Sequence, residues 1–173
     1  MNKFKIGLDI HGVIDSNPEF FAAFTRTMVA AGHEVHILTG PKITPKIINE
    51  LKTMHIDFTH LFSITDHHEA VGTPIIWDEY GNPHMDAYLW DKTKAEYCKA
   101  QGIELHIDDS DSYAYFFKTP YARFYSKDTD RVRKTAILLP YSFFWELSSS
   151  SISLLITSCK ASTCSASLRI KVG

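Results

Sequence analysis

Asp9 stands where the apolar run Ile6-Gly7-Leu8 gives way to the turn residues His11-Gly12. A carboxylate at such a place lies at the C-terminal edge of a buried strand, where open α/β sheets bind their ligands. Three further groups follow in order: Thr39-Gly40 after a second apolar run, Lys92 and Lys94 at the start of a helical stretch, and Asp108-Asp109 after a later strand pattern. The groups at strand ends converge on one crevice of a doubly wound sheet. A carboxylate there can act as a nucleophile, splitting one hard displacement into two easier ones. Grouped carboxylates also hold hard divalent cations. Each element alone has a plainer reading: Asp108-Asp109-Ser110-Asp111 as an acidic turn, Thr39-Gly40-Pro41 as a loop, the lysines as solvated helix residues. Their order along the chain carries the signal.

The elements that must position these groups alternate. Phe4–Ile10 reads as a buried first strand. Ser16-Asn17-Pro18-Glu19 opens a helix with a capping residue, a proline and an acid. Phe20, Phe21, Phe24 and Met28 recur at helical spacing before Gly32. Val35–Leu38 predicts a second strand, and Thr44-Pro45 opens a helix with Ile47, Ile48, Leu51 and Met54 inward. Leu61–Ile64 predicts a third strand. Within Asp66–Trp90, the segments Ile75–Trp77, Tyr80-Gly81-Asn82-Pro83 and Tyr88–Trp90 predict a hairpin insertion. A helix follows from about Asp91 to Gln101, then a strand over Glu104–Ile107, a short helix over Ser112–Phe117 and a strand over Ala122–Tyr125. This alternation predicts a three-layer α/β sandwich around a mainly parallel, Rossmann-like sheet of about five strands. Residues 1–140 would form the domain, with 66–90 a small lid-like insertion and no large cap between Asp15 and Thr39. The serine-rich stretch 141–173 reads as a loosely attached tail.

At 173 residues the chain has room for one domain with a full hydrophobic core. A formal net charge of −2 gives no global reason to expect nucleic acid or an anionic membrane as partner. Cys98, Cys159 and Cys164 form no even disulfide framework, which suits a reducing cytoplasm. Met1–Lys5 runs straight into a strand pattern, so no signal peptide is expected. The most apolar stretch, Ala136–Ile156, is broken by Pro140, Glu146 and serines, and predicts no membrane span. Neither a Gly-x-Gly-x-x-Gly nor a P-loop sequence is present.

Over roughly residues 3–126 the chain resembles the haloacid dehalogenase superfamily, whose phosphatases carry Asp-x-Asp-Gly-Val where this sequence has Asp9-Ile10-His11-Gly12-Val13. The resemblance implies a Rossmann-like phosphohydrolase with Asp9 as nucleophile. It implies Mg²⁺ held by Asp9, the backbone carbonyl of His11 and Asp108, with Asp109 in support or bound through water. Thr39 and the amide of Gly40 would hydrogen-bond the phosphoryl oxygens, and Gly12 would be a substrate-binding residue beside Gly40. A lysine would offset the phosphate charge; Lys94 fits the helix spacing and Lys92 is its rival. Small nucleotidase-like members are the nearest resemblance, so the implied partner is a small phosphorylated substrate, with a nucleotide monophosphate as the first candidate. An open site also suits a homo-oligomer whose neighbour completes the lid.

His11 departs from the pattern, because the family's second aspartate protonates the leaving group and then activates water. Histidine can do both near neutral pH, although a neighbouring dication favours the neutral ring and weakens it as an acid. The expectation is slow hydrolysis biased toward good leaving groups. A site that binds phosphate without turnover is the alternative. A third reading, a two-metal phosphoesterase related to calcineurin, needs further Gly-Asp-x-x-Asp, Gly-Asn-His and Gly-His-x-His elements, of which Gly32-His33 and Gly81-Asn82-Pro83-His84 are only partial echoes. Elsewhere, Asp66-His67-His68-Glu69 reads as an exposed loop, and His33 and His36 as half-buried structural residues. Trp77, Tyr80, Tyr88 and Trp90 are expected to form a small core for the insertion, with stacking on a ligand as the rival role. Cys98 has no histidine partner to make it a nucleophile.

Overall fold

A computed structural model of the chain describes residues 3–125 and the segment 167–171. Five strands form the parallel part of the sheet: β1 (Lys5–Asp9), β2 (Glu34–Thr39), β3 (His60–Ser63), β6 (Leu105–Asp108) and β7 (Tyr121–Tyr125). β8 (Ser167–Lys171) adds an antiparallel edge beside β7, within the stretch expected to be a loose tail. The rest of that tail lies outside the described residues. The strand order is β3-β2-β1-β6-β7-β8. The chain therefore steps outward from β1 in one direction, then returns to build on its other side. The switch point falls between β1 and β6, and Asp9 and Asp108 end those two strands.

Strand alternation sorts side chains between two layers of helix. Ile6, Leu8, Val35, Ile37, Ile107 and Phe124 pack with Phe21 and Met28 of α1 (Pro18–Ala30) and with Ile47 and Leu51 of α2 (Pro45–Thr53). On the other face Leu38 packs with Cys98 of α4 (Ala87–Gln101) and with Ile103. Gly7, Asp9, His36, His106 and Asp108 share that second face by the same alternation. Cys98 is buried there, and burial pushes its thiol pKa up, which suits packing and not nucleophilic chemistry.

Helix caps explain where the expected boundaries move. The Ser63 hydroxyl accepts from the Asp66 amide at 3.0 Å, so α3 (Ile64–Ala70) starts one residue after β3. The stretch Asp66–Glu69, expected as an exposed loop, is thus helical. His68 is buried in it, bridging the hydroxyls of Thr73 and Thr93 at 2.9 and 2.8 Å. Asp86 accepts from the Leu89 amide at 2.9 Å and starts α4 at Ala87. Tyr88–Trp90 is therefore helix, where aromatic content suggested strand. The insertion keeps only a short hairpin, β4 (Ile76–Trp77) with β5 (Pro83–His84). Its aromatics form no core: Trp77, Tyr80 and Tyr88 are 43%, 81% and 63% exposed. The short α5 (Asp111–Ala114) sits between β6 and β7. No described helix is long and apolar enough to cross a membrane.

Gly7 has no room for a side chain, because a Cβ there would come within 2.6 Å of the His106 ring. Gly7→Ala is expected to cost about 1–3 kcal/mol by overpacking, measured as a lower urea midpoint at unchanged m-value.

Candidate active site

The Lys94 ammonium joins the two strand ends at the switch point. Its Nζ donates to Asp9 Oδ1 at 2.9 Å and to Asp108 Oδ2 at 2.7 Å. All three residues are buried, Lys94 to 1% and Asp108 to 0% exposure. Asp108 Oδ2 also lies 3.2 Å from His106 Nε2, and its Oδ1 accepts from the Ser110 amide at 2.9 Å. His106 is two residues before Asp108 and so shares its strand face; it stacks on Phe117 with ring centroids 4.9 Å apart. The Tyr113 ring covers Lys94, with its centroid 4.7 Å from Nζ, and Tyr113 Oη accepts from Trp90 Nε1 at 2.9 Å. Trp90 in turn lies against Gly40.

The residues after Asp9 form one wide turn, closed by the Asp15 amide donating to the Ile10 carbonyl at 3.0 Å. Gly12 is required here twice over. Its φ of +81° disfavours any side chain, and a Cβ would stand 2.3 Å from Asp109 Oδ2. The Gly12 amide donates to Asp15 Oδ1 at 2.7 Å, which fixes the turn locally.

Asp9, Asp108 and Asp109 present carboxylate oxygens within 4.8 Å of one another. Three carboxylates around one ammonium leave the group short of positive charge. Burial pushes the Asp9 carboxyl up to about 7 against the pull of Lys94, and the Asp108 charge adds to the rise. Burial acts upward on Asp108 as well, but Lys94 and His106 outweigh it and hold that carboxyl well below the usual range. Burial would lower the Lys94 pKa, yet Asp9 and Asp108 keep the amine firmly protonated. Asp109 is raised by burial and by Asp108. Hard oxygen donors with a deficit of cationic charge fit a divalent ion such as Mg²⁺.

The two candidate lysines separate. Lys94 faces the carboxylates, whereas Lys92 pairs with Glu96 at 3.0 Å and lies over the Tyr88 ring, so the rival assignment is corrected. The helix begins earlier than expected, which places both lysines within it and not at its start. Thr39 ends β2 with a buried hydroxyl that has no hydrogen-bond partner among the described residues. Such an orphan asks for an explanation, and a bound anion is one. The Gly40 carbonyl accepts from the Thr65 hydroxyl at 2.7 Å and from its amide at 3.1 Å, which holds the loop after β2 in place. His11 is exposed, makes no side-chain hydrogen bond among the described residues, and borders a cleft of about 710 Å³ with Asp15, Lys46, Asn49 and Glu50. His106, Tyr113 and Trp90 were not anticipated as parts of this group, although the alternation from Asp108 back to His106 was readable. No family model and no curated protein matches the chain.

Cation binding has to displace the proton from Asp9. Apparent Mg²⁺ affinity is therefore expected to rise about tenfold per pH unit from pH ~5 to ~7 and to level off above that, by calorimetric titration. Lys94→Met leaves Asp108 charged and buried without its partner. It should cost about 3–5 kcal/mol in metal-free buffer, read by chemical denaturation.

Proposed function

We propose that the chain is a phosphohydrolase of the haloacid dehalogenase type, acting through an aspartyl-phosphate on Asp9. The observation that carries this reading is the Lys94 ammonium held between Asp9 and Asp108 at the switch point. In this reading an Asp9 oxygen attacks phosphorus as the bond to the leaving oxygen breaks. Lys94 orients the carboxylate and offsets the charge of the incoming phosphate. The orphaned Thr39 hydroxyl and the Gly40 amide donate to the phosphoryl oxygens, and the free hydroxyl supports a bound acceptor group at this place. Asp9, Asp108, Asp109 and the backbone carbonyl of His11 would hold Mg²⁺, which neutralises the repulsion between carboxylate and phosphate dianion. His11 protonates the leaving oxygen, then takes a proton from the water that hydrolyses the acyl-phosphate. The substrate class is a small phosphomonoester or acyl phosphate, with nucleotide monophosphates first among those to try.

One observation favours a second reading, phosphate binding without turnover. His11 is exposed, and no hydrogen bond among the described residues orients it toward the carboxylates.

With Mg²⁺ the purified protein is expected to release phosphate from p-nitrophenyl or acetyl phosphate, and Asp9→Asn to lower the rate by on the order of 10³ or more. His11→Asp should raise turnover of ordinary phosphomonoesters by about tenfold or more. Wild type and Asp9→Asn both at background, with phosphate still bound, would establish the binding reading.

A further inference from the structure

We propose that Glu34, His36 and His60 form a second metal site, at the opposite edge of the sheet, that takes Zn²⁺. His36 on β2 and His60 on β3 are register partners across the parallel pair. Glu34 precedes His36 by two residues and so shares its face. The imidazole rings stack, 8° apart with centroids at 4.1 Å, so their in-plane lone pairs run side by side and the His60 ring has to turn out of the stack to share an ion with His36; Glu34 Oε2 lies 3.0 Å from His36 Nε2. One ligating atom from each of the three residues lies within 4.8 Å of the other two. Two imidazoles and a carboxylate with a fourth, open position is a ligand set that Zn²⁺ uses.

The surroundings prepare the ligands. His36 is fully buried, and its Nδ1 lies 3.0 Å from the Tyr97 hydroxyl, which fixes the ring and turns Nε2 toward Glu34. The His60 Nδ1 is held by Thr59 Oγ1 at 2.9 Å, which leaves Nε2 uncommitted. Tetrahedral ligand atoms stand roughly 3.3 Å apart at ordinary zinc bond lengths, so the set must draw in. His60 is exposed and Glu34 only partly buried, so both can move toward the fixed His36. Glu34 also pairs with Lys3 at 2.9 Å and with Lys5 at 3.3 Å. Both lysines sit on long stems in or near solvent, and such pairs are weak enough to yield to a dication.

The two centres differ in chemistry as well as place. Glu34 begins β2 and Thr39 ends it, a separation of roughly 16 Å along the strand. Imidazole nitrogens favour Zn²⁺, whereas the all-carboxylate group at the other edge suits Mg²⁺. A metal here ties β3, an edge strand, to β2 and would stabilise the fold in proportion to its occupancy.

The test is calorimetric titration of Zn²⁺ into the full chain with Mg²⁺ in excess, paired with the Zn²⁺-dependent shift in Tm. One Zn²⁺ per chain and a higher Tm are expected, with affinity falling about tenfold or more in His60→Ala and in Glu34→Gln. Neither substitution touches the Asp9 group, so any Mg²⁺-dependent phosphate release should be unchanged. Absence of Zn²⁺ binding, or wild-type affinity in either variant, overturns the site. The titration reads the same whether or not the chain hydrolyses phosphate, so failure of one reading leaves the other standing.

Discussion

The contact on which the rest of the structure turns is the single buried ammonium shared by Asp9 and Asp108. Burying a charge is costly unless it is paired and hydrogen-bonded, and here one cation must serve two anions from adjacent strands. Several features follow. α4, capped by Asp86, has to bring Lys94 to the ends of β1 and β6. Gly7 must lack a side chain so that the His106 ring can lie beside β1 and reach Asp108. The Tyr113 ring of α5 closes over the amine, held by a hydrogen bond from Trp90 of α4, and supplies an aromatic face where water would otherwise enter.

The arrangement is incomplete in charge, and that is its chemical content. Asp108 is the better compensated carboxylate, with Lys94 and His106 on one oxygen and the Ser110 amide on the other, which leaves a lone pair on the second oxygen. Asp9 keeps only a share of Lys94, and burial raises its carboxyl toward neutrality. A second cation would complete the pairing and restore Asp9 to the charged form that a nucleophile requires. A purely structural ion pair gains nothing from a third carboxylate, Asp109, pressed against the Gly12 turn. The crowding of anions at the switch point thus argues for a ligand more strongly than any one residue does.

Much of this was legible in the sequence, for a physical reason. Asp9, Thr39 and Asp108 each end a short apolar run, and strand ends in a parallel sheet share one edge. Lysine choice was legible only in part. Residues 92 and 94 differ by about 200° around a helix, so one of them must face away, but that rule does not say which until the helix start is known. Aromatic residues at 88–90 masked the start, and the Asp86 cap decided it. His68 misled because polar composition suggested a loop, whereas Ser63 caps a helix that buries it between Thr73 and Thr93. The pairing of His36 with His60 depends on strand register across 24 residues of chain, which local patterning does not encode.

Asp9-Ile10-His11-Gly12 divides into two parts with different physical security. The carboxylate is buried, bonded and locked to two strands, and changes around it are resisted by packing. The residue two positions on lies in a turn whose shape is set by others: Gly12 by its positive φ, Asp15 by its bond to the Gly12 amide, Ile10 by its carbonyl. Position 11 can therefore change its side chain without moving the backbone carbonyl that the metal reading uses. In the proposed reading, an imidazole there would alter proton transfer and leave that carbonyl in place. On that reading, the scaffold would leave the rate of turnover free to vary while holding the binding geometry constant.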